Sequence, residues 1–89
     1  MKKDADWFEG REPQLIHIAK RLAEAQRLEE VFDASGVDYS VEADEYQGGV
    51  IFRRTRIGAF FYVRPEDHKR AIVAMKEGGF PPSAGQAGR

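Results

Sequence analysis

The chain has no cysteine, which excludes disulfides and thiolate metal sites. No apolar run approaches the roughly 20 residues that span a bilayer. Met1-Lys2-Lys3-Asp4-Ala5-Asp6 runs into acid instead of an apolar stretch, so neither a membrane segment nor a secretory leader is expected and a cytoplasmic location follows. There is no basic excess either: 14 Lys and Arg stand against 15 Asp and Glu, a net charge of -1. Dedicated duplex binders usually carry a strong positive excess, so nucleic acid is not the expected partner. Neither a Gly-x-Gly-x-x-Gly run nor a Walker loop occurs, and the lone pair Gly48-Gly49 reads as a turn. Ser35, Ser40 and Ser83 read as cap, strand and tail, with no triad context. The residues thus point away from an enzyme, and no cofactor is implied.

What is present is enough apolar side chain, 42% of 89 residues, for one small core. Three parts are expected: an N-terminal arm over residues 1–13, one domain over 14–80, and a Pro/Gly-rich tail over 81–89 too poor in apolar residues to order itself. In the arm, Trp7 and Phe8 are the large apolar residues and are expected to pin it to the core.

Gln14–Ser35 supports two readings. As one helix, Leu15, Ile18, Leu22, Ala25, Leu28 and Phe32 form a stripe at three- and four-residue steps. As two elements, Leu15-Ile16-His17-Ile18-Ala19 is a short strand and Leu22–Ser35 a helix with Ala25, Leu28, Val31 and Phe32 inward. Gly36 suits the left-handed residue that ends such a helix. Val37–Asp44 alternates as a half-buried strand, with Val37, Tyr39, Val41 and Ala43 on one side. A turn at Gln47-Gly48-Gly49 then leads to a strand over Val50-Ile51-Phe52-Arg53. Arg54–Gly58 is either a connection or part of a continuous bent strand, and Ala59–Val63 is the strongest strand by composition. A last helix starts at Pro65, turns Ala71, Ile72 and Met75 inward and stops at Gly78-Gly79, with Phe80 folding back.

This order implies an α+β fold of βαββα type, ferredoxin-like, with two helices on one face of an antiparallel or mixed sheet. The other face is expected to carry His17, Phe60 and Tyr62 beside Glu42. Exposed aromatics on a small domain usually mark a partner surface, so a homo-oligomer working through the open face or edge is expected.

Leu15-Ile16-His17-Ile18-Ala19, Glu24-Ala25 with Leu28-Glu29, Ala34-Ser35-Gly36-Val37, and Phe61-Tyr62-Val63 before Pro65-Glu66-Asp67 with Ala71 resemble the small bacterial PII-like family described as putative signal-transducing. The similarity covers about residues 14–76 and its motifs are structural. It implies a PII-related, ferredoxin-like fold and a regulatory or ligand-sensing role. It does not carry over nucleotide sensing, because the nucleotide-binding loop of true PII proteins is missing from the sequence.

Candidate ligand or interface residues are His17, Arg53, Arg54, Arg56, Phe60 and Tyr62. Two readings of the arginines compete. Across a hairpin they pair with Glu42, Asp44 and Glu45; or they form a site for a small anionic ligand, a phosphate or carboxylate. Phe60 and Tyr62, with Arg54 and Arg56, faintly echo the base-stacking strand of RNA-recognition modules, which makes single-stranded RNA binding the alternative function. A third and thinner possibility is acid–base chemistry, were His17 to lie near Glu42 and Tyr62. His17 and His68 are too far apart in sequence and element to share a metal.

Overall fold

The computed structural model of the chain describes residues 1–48 and 54–80. The strand expected over Val50–Arg53, Gly49 of the expected turn, and the tail over 81–89 lie outside the described residues. The elements follow the order β1 (Gln14–Ala19), α1 (Leu22–Ser35), β2 (Ser40–Gly48), β3 (Arg54–Val63) and α2 (His68–Glu77), with short 3-10 turns at Ala5–Phe8 and Pro65–Asp67. The fold is α+β, with a three-stranded sheet ordered β1-β3-β2. Both β1 and β2 pair antiparallel with β3, so they run the same way with β3 between them.

β1 resolves the choice over Gln14–Ser35 in favour of strand then helix. Gln14, Leu15, His17, Ile18 and Ala19 are paired along β3, and the amide of Ala25 bonds the Arg21 carbonyl as α1 begins. Gly36 ends α1 in the left-handed region (φ 72°), and the Val37 amide reaches the Phe32 carbonyl at 3.0 Å. That six-to-one bond satisfies a carbonyl the helix leaves orphaned. Gly79 (φ 89°) does the same after α2, where the Phe80 amide bonds the Met75 carbonyl at 2.8 Å. Phe80 is thereby turned back into the core, and the Arg27 guanidinium sits 4.6 Å from its ring centre while bonding the Gly78 carbonyl.

One core lies between the helices and one sheet face. Leu28 and Phe32 of α1, Ala71, Ala74 and Met75 of α2, and Phe61 and Val63 of β3 meet there with Tyr39. Ile72, expected inward, is half-buried and packs against this core, and Ala74 joins it there.

Two sequence expectations shift and one open choice is resolved. The strand expected at Val37–Asp44 begins later, at Ser40, and runs on to Gly48, so Gln47 and Gly48 are ladder residues and not a turn. Val37 and Tyr39 are buried as expected, but ahead of the strand. Alternation registers burial; it does not register where the ladder bonds begin. Second, Arg54–Gly58 continues directly into Ala59–Val63 as one ten-residue strand. Third, β1 is irregular: its register slips between Leu15 and His17, a β-bulge with Ile16 as the extra residue.

Candidate functional site

The bulge decides where the first candidate sits. Strict alternation would place Ile16 and His17 on opposite faces. With a bulge between them, Ile16 enters the core while His17, opposite Phe61, also turns toward the helices. The His17 ring lies edge-on to Phe61 and Phe80, and its Nε2 donates to Glu24 Oε2 at 2.6 Å. His17 is therefore not on the open face. It cannot join Glu42 and Tyr62, which lie on the opposite side of the sheet, and the grouping that suggested acid–base chemistry is absent.

The face away from the helices is read from the register. Ser40 lies opposite Tyr62, Glu42 opposite Phe60, Asp44 opposite Gly58 and Tyr46 opposite Arg56, while β1 contributes Leu15 and Ile18. Glu45 faces the other way, opposite Ile57. The carboxylates thus stand opposite Phe60, Gly58 and Ile57 and not opposite arginine. No ion pair joins Glu42, Asp44 or Glu45 to Arg54 or Arg56 among the described residues. Arg54 and Arg56 are exposed near the hairpin end, and Arg53 lies outside the described residues. The aromatic platform is also smaller than expected: Phe60 is enclosed within the single chain at 9% exposure, and Tyr62 is half-buried.

Part of that face is closed by the N-terminal arm. Lys2 bridges Tyr39 in parallel fashion, with the Lys3 amide donating to the Tyr39 carbonyl at 2.7 Å and the Tyr39 amide to the Met1 carbonyl at 3.1 Å. The chain then coils through Ala5–Phe8 and reverses at Glu9 (φ 50°) and Gly10 (φ 82°), two consecutive left-handed residues, before entering β1. Phe8 is buried, as expected for an anchor, but apart from the helix-side core; it shares a cavity with β2 and β3. The Arg64 guanidinium stacks over Trp7 at 4.5 Å and grips the buried Asp67 carboxylate at 3.0 Å. Arg70 holds the other oxygen of Asp67, also at 3.0 Å. Arg11 pairs with Glu66, fixing the far end of the arm to the same turn.

Arm and sheet enclose a cavity of about 530 Å³ lined by Ser40, Glu42 and Tyr62 below and by Asp6, Phe8, Glu9, Gly10 and Pro13 above. Ser40 is 2% exposed, and its Oγ has no hydrogen-bond partner among the described residues. The Tyr62 phenol is pushed above its ordinary value, first by burial and then by the charges of Glu42 and Asp44. Asp6, Glu9 and Glu42 have no ion-pair partner among the described residues.

Sequence reasoning found Tyr62 here and missed Ser40 and Phe8 as site residues. The available signal was the alternation of Ser40 and Glu42 on the face shared with Phe60 and Tyr62; nothing local told that the arm would fold over them.

Elsewhere, a shallow groove of about 320 Å³ lies beside the start of α1, where Leu22 and Ile57 are exposed. His68 is half-buried at the start of α2. Among the described residues no three His, Asp or Glu side chains converge as a metal site, and no helix is long and apolar enough to cross a membrane. Compared with family models, curated proteins and solved structures, the chain matches none.

Proposed function

We propose that the chain is a non-enzymatic, cytoplasmic binding module of regulatory type that takes a small ligand between its N-terminal arm and the open sheet face. The observation that carries this reading is the cavity itself, walled by the arm on one side and by Glu42 and Tyr62 of the sheet on the other. Its volume falls within the roughly 300–1,000 Å³ of ordinary ligand sites. The three-stranded antiparallel sheet with two helices is compatible with a small ferredoxin-like fold, and the PII-like resemblance supplies the regulatory sense of the proposal. Native mass spectrometry of the purified protein tests it: a bound small molecule is expected on the wild type and missing from Tyr62→Ala. A wild type that carries nothing, and whose melting point no member of a fragment collection raises, overturns the reading.

The module also acts as a homo-oligomer through β1. That strand is a sheet edge, and Gln14–Ala19 contains no acidic or basic residue other than His17. The β2 edge carries Glu42, Asp44 and Glu45, whose like charges oppose pairing with a copy of itself. The same native mass spectrum reads the stoichiometry, and a strictly monomeric wild type removes this part. The RNA alternative loses support, because a stacking strand needs exposed rings and Phe60 is enclosed.

A further inference from the structure

We infer that the groove beside the start of α1 takes the β2–β3 hairpin of a second copy of this chain. The inference stands apart from the arm-covered cavity and adds a second surface between copies to the β1 edge. β1 ends at Ala19, opposite Ala59, and α1 starts at Leu22. Past the pair Ala43 and Ala59 the hairpin runs on for five more pairs, as far as Gly48 and Arg54. On the helix side of this projecting part Ala43 and Ile57 are exposed. Ile57, 63% exposed, and Leu22, 74% exposed, line one groove of about 320 Å³ with Val41, Ala25 and Ala59. Of the five large apolar side chains exposed among the described residues, two thus meet at one place. An apolar sheet face is ordinarily buried against another layer, and no described element of this chain covers this part of it.

Chain length decides whose hairpin enters. Residues 49–53 join Gly48 to Arg54, and Val50, Ile51 and Phe52 are among them in the sequence. Hairpin connections are ordinarily rich in Gly, Asn, Asp and Ser, so three large apolar residues here call for a surface that buries them. Ile51 is three residues from both Gly48 and Arg54, so its backbone lies no more than about 11 Å from that pair. The groove starts farther back: Ala59 is about 17 Å along β3 from Arg54, and Val41 is about 24 Å along β2 from Gly48. The chain's own Ile51 therefore stops short, while that of a second copy meets no such limit. A two-fold axis makes the exchange mutual, each hairpin end entering the other copy's groove. Ile57 lies between Arg54 and Ala59 on β3, so the axis brings the two Ile57 side chains together. Glu45, opposite Ile57, is exposed on the edge strand β2, and its charge stays at the solvated rim.

The test uses the lack of cysteine in the chain, which makes every thiol an introduced one. Leu22→Cys chains are mixed with isotope-labelled Ile51→Cys chains and oxidised gently. A disulfide-linked dimer of one labelled and one unlabelled chain is expected. The comparison is Val73→Cys in place of Leu22→Cys, since Val73 is also exposed, at 52%, but lies outside the groove. No mixed dimer, or equal linking to Val73→Cys, overturns the inference. With Leu22→Cys and Ile51→Cys in one chain, closure within a single chain overturns it as well, because the chain's own hairpin end then covers the groove. Ile57→Asp gives a second reading without a thiol. It is expected to halve the native mass of the assembly and to leave the circular dichroism spectrum unchanged, because the side chain it replaces is exposed. Leu15→Lys places a charge on the β1 edge and reads that surface separately. If Leu15→Lys parts the copies and Ile57→Asp does not, all association belongs to β1: this inference falls and the β1 reading stands. A monomeric wild type removes both.

Discussion

His17 Nε2 lies 2.6 Å from Glu24 Oε2, a bond that ties β1 to the first turn of α1. The other oxygen of Glu24 accepts the Lys20 amide at 3.2 Å, so one carboxylate holds both sides of the joint. Glu24 is the third residue of α1, where a reaching-back carboxylate satisfies orphan donors and suits the positive helix end. Glu24→Ala strands the part-buried imidazole and the Lys20 amide together. A loss of about 2 kcal/mol is expected, seen as a lower urea midpoint at unchanged slope. A loss below a few tenths would mean the joint is held by packing alone.

The arm is held chiefly by Phe8, which is 6% exposed. Phe8→Ala is expected to cost about 3 kcal/mol, the usual scale for a buried ring. The more specific sign is local. The Tyr39 amide, bonded to the Met1 carbonyl, should exchange with solvent well before the amides of β3 once the anchor is gone. Unchanged protection at Tyr39 would show that the Lys2–Tyr39 bridge holds without Phe8.

Gly58 sits where its neighbours come close. A Cβ there would meet Ile18 Cγ2 and Tyr46 Cε1 at 3.0 Å and the Ala19 carbonyl oxygen at 3.2 Å. The side-chain tips can give way; the backbone oxygen of the neighbouring strand gives way less. Gly58→Ala is expected to cost about 1–2 kcal/mol and Gly58→Val more, by the penalty for overfilling a packed site. Thermal melts of the two variants check the order. A neutral Gly58→Val would mean that the Ile18 and Tyr46 side chains swing clear.

Tyr39 gives the fold an alkaline limit. Its phenol is fully enclosed and donates to Asp33 Oδ1 at 3.3 Å. Burial first, then the charges of Asp33 and Glu29 and the bond to Asp33, push its ionisation well above the ordinary tyrosine range. A folded-state value raised above the unfolded one gives stability that is complete below about pH 10 and declines as pH climbs from there toward the folded value. Tyr39→Phe is expected to cost about 1 kcal/mol at neutral pH and to flatten that alkaline decline. Melting points between neutral pH and strong alkali measure it, and an identical alkaline slope in the variant would assign the decline to other groups.

Much of this architecture was legible in the residues. The run Ala-Glu-Ala-Gln-Arg-Leu over 23–28 favours helix intrinsically, and Gly36 marks its end because a left-handed residue is needed there. Ala59–Val63 reads as strand because aromatic and β-branched side chains suit a pleated surface. Phe80 was expected to fold back, and the Gly78-Gly79 pair that stops α2 lets it do so. These are local properties: each depends on a few neighbouring residues and on a period of 2 or 3.6.

Three features depended on contacts between residues far apart in the chain, and the sequence alone left them open. The bulge at Ile16 comes from fitting β1 to β3, and by slipping the register it moved His17 from the open face to the helix side. The hairpin register set Glu42 and Asp44 against Phe60 and Gly58 instead of arginines, because a shift of one residue changes every partner while the composition stays the same. The path of the arm was fixed by Phe8, by Trp7 under Arg64, and by the Lys2–Tyr39 bridge. Sequence alone determined the helix over Leu22–Ser35, the last helix, the strand over Ala59–Val63 and how the helices end; the three-dimensional fit determined the rest of the strands and which face each side chain serves, and with it the cavity between arm and sheet.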